Sequence, residues 1–363
     1  MRRGGHLPPV GIRSWLRVVA GAAALALALS ACNRGSPASG AGSNLRDGMA
    51  SVQDNPVSRR LFVWADQSEL RTLTGITSSS SAANTKKLNV TWSRLTMAAV
   101  PNLAGLEPQV TSSTGIDVYK GSRAITVGAA PDTAGRIDGA DISAVDKQLK
   151  VLGVTPPAGN GLSVAVLAPD DQVAVGNPHL GGDVYLALNR LAVKGSTVAY
   201  ALASGPLNVV LGGGRSLADE PDDAAMAQCL GDVVVAQVGT PPEGAAAGVT
   251  LVGVGVRRPA APTDQVSEVL CEIAGNATDT VASSMVARTQ PDAPLPGRGL
   301  HVRDRLAQAV VDQTRRGDVR AARLTVGLVS PARAGFLLLD QGSDGSGLAY
   351  LGGGSPPAGG SQP

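Results

Sequence analysis

A chain of 363 residues with 31 Lys and Arg against 29 Asp and Glu carries a formal net charge of +2. That near-neutral balance supplies no basic field to gather nucleic acid, and so argues against nucleic acid as a partner. Aromatic residues make up only 2% of the chain, which disfavours glycan-binding or single-strand-binding surfaces built by ring stacking and leaves Val, Leu, Ala and Ile to form the core.

In chain order, Arg2, Arg3, Arg13 and Arg17 place positive charge at the start with no acidic residue among them. Residues 18–31, VVAGAAALALALSA, then form an uncharged apolar run of 14 residues. That is short of the ~20 residues needed to cross a bilayer core but fits the apolar segment of an export signal. The run ends in Leu29-Ser30-Ala31-Cys32, which resembles the lipobox of bacterial lipoproteins. The resemblance implies cleavage before Cys32, acylation of its thiol with palmitate-type chains, and a position on the outer face of the cell membrane. Ser58-Arg59-Arg60-Leu61-Phe62 resembles a twin-arginine export motif, but no apolar run follows it, so it reads as chance.

Removing residues 1–31 from 363 leaves 332, and losing four arginines brings the net charge to −2. That length suffices for one large domain or two ordinary ones. The excess of Arg over Lys and the abundance of Ala and Gly resemble high-GC actinobacterial proteins, which implies no activity. Residues 33–44, NRGSPASGAGSN, have almost nothing to bury and predict a flexible tether.

Strands are expected over 60–65 and 88–95, separated by the polar stretch 77–87, followed by a helix over 101–115 and a strand over 125–128. Ser143-Ala144-Val145-Asp146 matches a capping box, with Ile142, Val145, Leu149 and Leu152 sharing one helix face. Strands over 162–167 and 172–175 come next, and residues 189–193 and 196–203 are expected to pair across Lys194-Gly195. Residues 207–211, LNVVL, read as a short strand. A helix starting near Pro221 then aligns Met226, Cys229, Leu230, Val233 and Val234. Residues 249–256 read as a strand covered on both sides. A helix is expected from Thr263 through Val266, Val269, Leu270 and Ile273, then a strand over 280–288 and a helix through Val302, Leu306, Ala309 and Val310. Strands over 324–328 and 336–339 complete the series. No internal repeat stands out.

Strands alternating with helices imply an α/β or α+β fold of two layered lobes, with mixed sheets covered by helices. The boundaries are a signal peptide over 1–31, a lipid-anchored tether over 32–55, an N-terminal lobe over 56–180, a C-terminal lobe over 181–345 and a disordered Gly/Pro/Ser tail over 346–363. The lobes are expected to meet between 155 and 205.

With Cys32 acylated, Cys229 and Cys271 remain as an even pair in an oxidising compartment, and a disulfide between them is expected. Both are placed on helices flanking one strand. Closing a loop of roughly 40 residues contributes about 3–4 kcal/mol in the chain-entropy model. The absence of C-x-x-C spacing argues against a redox role.

Gly212-Gly213-Gly214-Arg215-Ser216 is tempting as a phosphate cradle, but it lacks the spacings of known phosphate loops and is followed by Asp219, Glu220, Asp222 and Asp223. A turn is the better reading. Asp340-Gln341-Gly342-Ser343-Asp344-Gly345 resembles part of a calcium loop but lacks the third-position oxygen and the closing Glu, where Leu351 stands. Asp138-Gly139-Ala140-Asp141 reads as a turn and helix start. His179 and His301 are the histidines beyond the leader, and neither H-E-x-x-H, G-x-S-x-G nor S-x-x-K is present. No cofactor, no metal and no catalytic residue is assigned.

Three readings follow. The first is a non-enzymatic binding or scaffolding lipoprotein of the cell envelope, with an envelope protein or small molecule as partner and the membrane reached through the lipid anchor. The second is a solute- or lipid-binding lipoprotein with its ligand between two lobes. The third is an envelope hydrolase whose triad assembles from distant positions and uses His179 or His301.

Overall fold

Runs of Val, Ile and Ala flanked by Gly are suited to strands buried on both faces, and the computed structural model joins these runs into one sheet. It describes residues 43–82, 89–153, 161–170, 172, 184, 188–261, 263–295, 299–340 and 346–354. Among these residues the sheet has eleven strands, in the order β12-β13-β9-β8-β7-β1-β2-β3-β6-β5-β4. The strands are β1 Leu61–Asp66, β2 Arg123–Val127, β3 Ala134–Asp138, β4 Leu162–Val166, β5 Arg190–Lys194, β6 Thr197–Ala201, β7 Val233–Gly239, β8 Leu251–Arg257, β9 Ser267–Ile273, β12 Leu306–Arg316 and β13 Val319–Leu328. Pro294–Leu295 (β10) and Leu300–His301 (β11) form a separate two-stranded ladder.

Every ladder in the large sheet is antiparallel. The fold is therefore α+β, and the sheet is antiparallel where a mixed one was expected. It runs without a break through residues assigned above to two lobes, because β1 pairs with β7 from Phe62↔Val238 to Ala65↔Val235.

Helices cover both faces. One face carries Phe62, Trp64, Ile125, Ala199, Val238 and Cys271 under α1 Ser43–Ala50, α2 Pro56–Arg60, α8 Ser204–Leu211 and α9 Pro221–Leu230. The other carries Val63, Ile137, Tyr200, Val254 and Leu270. It lies under α3 Gln67–Thr74, α5 Val90–Ser93, α6 Glu107–Thr114, α7 Ile142–Val151, α10 Thr278–Arg288 and α11 Ser346–Leu351, with the short α4 Ser79–Ala82 against α6. Caps explain several boundaries. Asn55 accepts the Val57 N–H and Pro56 opens α2, whereas Asp66 ends β1 and caps α3 through the Glu69 N–H.

Strand order reveals a repeat that the residues hide. From the centre outward the sheet reads β1-β2-β3-β6-β5 on one side and β7-β8-β9-β13-β12 on the other. In each half a helix opened by Pro leads into the first strand (α2 or α9), and a helix follows the third (α7 or α10). The last two strands then return as a hairpin beside the third strand. Strand β4 is an addition to the first half.

Several expected elements change type. Residues 207–211 end a helix, because a short buried apolar run has no period that separates strand from helix. The helix drawn through Val266, Val269, Leu270 and Ile273 is strand β9, where both faces are buried and almost any period can be traced. Residues 278–288 are a helix burying Val281, Ala282 and Met285, not a strand. Val302, Leu306, Ala309 and Val310 span a short turn and β12, not a helix. Residues 90–93 form a helical turn capped by Asn89, and residues 336–340 a π-type turn. The helix from Pro221 stops at Leu230, leaving Val233 and Val234 in β7. Ser143 lies inside its helix and bonds Asp141, so it makes no capping box. Residues Ser43–Ala50 and Ser346–Leu351, within the stretches read as tether and tail, are helical. Cys32, His179, residues 173–175 and residues 341–345 lie outside the described residues.

Candidate functional site

Where α1 passes over the ends of β1 and β2, a cleft of about 340 Å³ opens. Its floor includes Trp64, whose alternation along β1 turns it toward α1. The indole is 2% exposed, and its buried Nε1–H has no hydrogen-bond partner among the described residues. Helix α1 can lie this close because residue 48 is glycine, since a Cβ there would stand 2.5 Å from Trp64 Cδ1. Asn44 and Asp47 reach the cleft from that helix.

The opposite wall is polar and pre-set by the sheet. Arg123 opens β2 and faces Asp138 in register on β3, with Nη2 2.5 Å from the carboxylate. Asp138 also accepts from Arg136 Nε at 2.7 Å and Thr197 Oγ1 at 2.8 Å. Burial pushes the Asp138 carboxyl up, but the Arg136 and Arg123 guanidiniums outweigh it and hold the group below the usual carboxylate range. Arg136 extends the network by donating to the Ser51 carbonyl at 2.8 Å and the Val210 carbonyl. Ser68 and Ser122 complete the rim; the Ser68 N–H donates to the Ser122 carbonyl, and Ser122 Oγ donates to that of Asp138. Asp66 binds Arg258, which also reaches Glu69 and Asp232.

The cleft therefore presents hydroxyls, an amide, carboxylates and one guanidinium beside the largely buried Trp64 ring. That set can hold a small polar molecule by hydrogen bonds. Among the described residues, Ser68 Oγ accepts from Arg71 and Ser122 Oγ donates to the Asp138 carbonyl, and neither bonds a histidine. A second hollow of about 80 Å³ lies on the other face between Gln237, Val252 and Leu348.

Cys229 and Cys271 are bonded. Cys229 sits on a helix as expected, but Cys271 is on β9, so the bridge ties helix to sheet rather than helix to helix. Gly212, Gly213 and Gly214 have φ of 79°, 137° and 64°, a turn that other residues would strain. The Ser216 N–H and hydroxyl both donate to Asp219, so this segment closes on its own carboxylate and forms no phosphate cradle. Asp138 is the buried centre of an ion network, beyond the simple turn that was expected. His301 is partly exposed, with Nδ1 3.9 Å from Asp304. No group of three His, Cys, Asp or Glu side chains placed to hold a metal occurs among the described residues.

Sequence reasoning missed Trp64, the Arg123–Asp138–Arg136 network and the buried pair Glu268 and Glu272. The alternation of Arg136 with Asp138 along β3 was available as a signal, but its neighbours come from strands distant in the chain. No family model, curated protein or solved structure matches this chain.

Proposed function

We propose that this chain is a lipid-anchored lipoprotein on the outer face of the cell membrane, whose folded part binds a partner in the cell envelope rather than transforming a substrate. The observation that carries this reading is the use of the cysteines. The chain has three, and the fold joins Cys229 to Cys271. Cys32 is left at the position where the lipobox resemblance puts the lipid. A helix-to-sheet disulfide suits an oxidising compartment outside the cytoplasm. No described helix is long and apolar enough to cross a membrane, and acyl chains on Cys32 would supply the attachment.

Metabolic labelling with a palmitate analogue tests the anchor in a bacterial host. Full-length protein is expected to take up label and enter the detergent phase, and Cys32→Ser to do neither. Label retained in Cys32→Ser would overturn the assignment.

The cleft beside Trp64 favours a second reading, a small-solute lipoprotein. Because both halves share one sheet, the ligand would lie under α1 instead of between lobes. Native mass spectrometry of residues 33–363 is the test. An adduct that is lost on denaturation, and is absent from an Arg123→Ala variant, supports this reading; a bare mass from protein freshly isolated from its host counts against it.

A further inference from the structure

A buried carboxyl with an oxygen left without a donor favours its protonated form. Glu272 on β9 is placed in this way. It is 1% exposed, its Oε2 has no hydrogen-bond partner among the described residues, and its neighbours across the two ladders are Val252 and Ala322. Residues 346–354 lie across it. Gly352 packs so closely that a Cβ there would overlap the Glu272 carboxyl, and Leu348, Ala349 and Leu351 are buried beside it. Arg288 on α10 holds this segment. Its Nη1 donates to the Tyr350 carbonyl at 2.7 Å and to the Gly354 carbonyl, and its guanidinium lies 4.7 Å from the centroid of the Tyr350 ring. Among the described residues, Arg288 spends its hydrogen bonds on the segment and none on Glu272.

We propose that residues 346–354 form a strap that stays closed over Glu272 while its carboxyl keeps its proton and lifts when the proton is lost. An ionised Glu272 needs donors. Water reaches the carboxylate by displacing the strap. Arg288 reaches it by leaving the carbonyls of Tyr350 and Gly354. Both routes loosen the same segment, and β9 is fixed by ladders on either side, so the strap is what gives way. With Leu348 withdrawn, the hollow of about 80 Å³ beside Gln237 and Val252 loses one wall.

Burial pushes the Glu272 carboxyl up to about 8, against the pull of Arg288, so closure weakens as pH rises from the ordinary value of 4.5 toward 8. The other ionisable groups around it are engaged elsewhere or turned to water. Glu268, further along β9, accepts the N–H groups of Gly335, Phe336 and Leu337, in the segment that runs on to Asp340. Arg320 on β13 binds Asp279 at the start of α10. On this face β8 presents Val252, Val254 and Val256. Glu243 is exposed on the loop that meets Gly354, and the strap itself brings Tyr350.

Limited chymotrypsin digestion of residues 33–363 at pH 6 and pH 9 tests the strap. Cuts after Tyr350 and Leu351 are counted by mass. Their rate is divided by that for a free peptide of residues 346–354, which removes the protease's own pH dependence. The ratio is expected to rise roughly ten-fold or more from pH 6 to pH 9. It should stay flat in Glu272→Gln, whose side chain has no proton to lose in this range. Cuts after Phe62 and Trp64, buried in β1, should remain far slower, because the sheet stays folded when the strap lifts. A constant ratio in the native chain, a rise of the same size in Glu272→Gln, or cuts in β1 that keep pace with those in the strap overturns the proposal. Should Glu272→Gln fail to fold, the pH contrast in the native chain and the order of its cuts still decide.

Discussion

The third strand of each half, β3 or β9, is tied to the helical segment that precedes the first strand of that half. The two ties use different chemistry. In the second half the tie is covalent, from Cys271 on β9 to Cys229 on α9. In the first half Arg136 on β3 donates to the carbonyl of Ser51, just after α1, and is itself held by Asp138. The opposite faces of the same strands differ too. β9 presents two buried glutamates, and β3 presents Gly135 and Ile137. Glu268 accepts the N–H groups of Gly335, Phe336 and Leu337, and Glu272 lies against Gly352. Arg288 holds the same C-terminal segment through the Tyr350 carbonyl, 2.7 Å away, and stacks over the Tyr350 ring. One topology is thus fastened by a disulfide and buried carboxylates in one half and by a guanidinium network in the other.

The largest effect is expected from the covalent tie. Changing Cys229 and Cys271 to Ser should lower unfolding stability by about 3–4 kcal/mol in urea titrations, the value expected for a loop of this length. A change under about 1 kcal/mol would mean that the bridge is not the main fastening of that half.

Next comes a pH slope from Glu272. Burial pushes its carboxyl up to about 8, against the pull of Arg288. Its folded value lies above its ordinary 4.5, so the native state binds the proton more tightly than the unfolded chain. Stability therefore falls as pH rises from 4.5 toward 8 and levels off above. Asp223, pushed to about 7 by burial against the pull of Arg59, adds to the same slope. Glu272→Gln should recover on the order of 3 kcal/mol of the loss when melts at pH 8.5 and pH 5 are compared. An unchanged slope would break the assignment.

Arg136→Met probes the other half. It leaves Asp138 buried with Arg123 as its remaining ion-pair partner and should cost about 2–3 kcal/mol at pH 7. Because the folded Asp138 value is depressed, its contribution is present above its ordinary value of 3.8 and is lost as pH falls below it. Arg136→Met should therefore differ less from the native protein in acid denaturation than in neutral urea titrations.

The smallest pair concerns close packing. Ala at position 48 would meet the rigid Trp64 indole, whereas Ala at position 253 would meet Met226 Sδ at 2.4 Å, the end of a flexible side chain. Gly48→Ala should cost about 2 kcal/mol despite the better helix propensity of Ala, and Gly253→Ala about 1 kcal/mol. Equal losses would show that the two halves pack alike.

Local chemistry was legible in the sequence. Pro221 at a first turn, the Lys194-Gly195 hairpin and the even cysteine pair can each be read within a few residues or by counting. The type of element 204–211, of β9 and of α10 was decided by tertiary structure, because a segment buried on all sides shows apolar residues at both helical and strand spacing. The site was decided there too. Arg123, Arg136, Asp138 and Thr197 meet because β2, β3 and β6 are neighbours, and Trp64 is covered because α1 returns across it. Strand order depends on which apolar faces pack together over long separations, and no short window of residues contains that information.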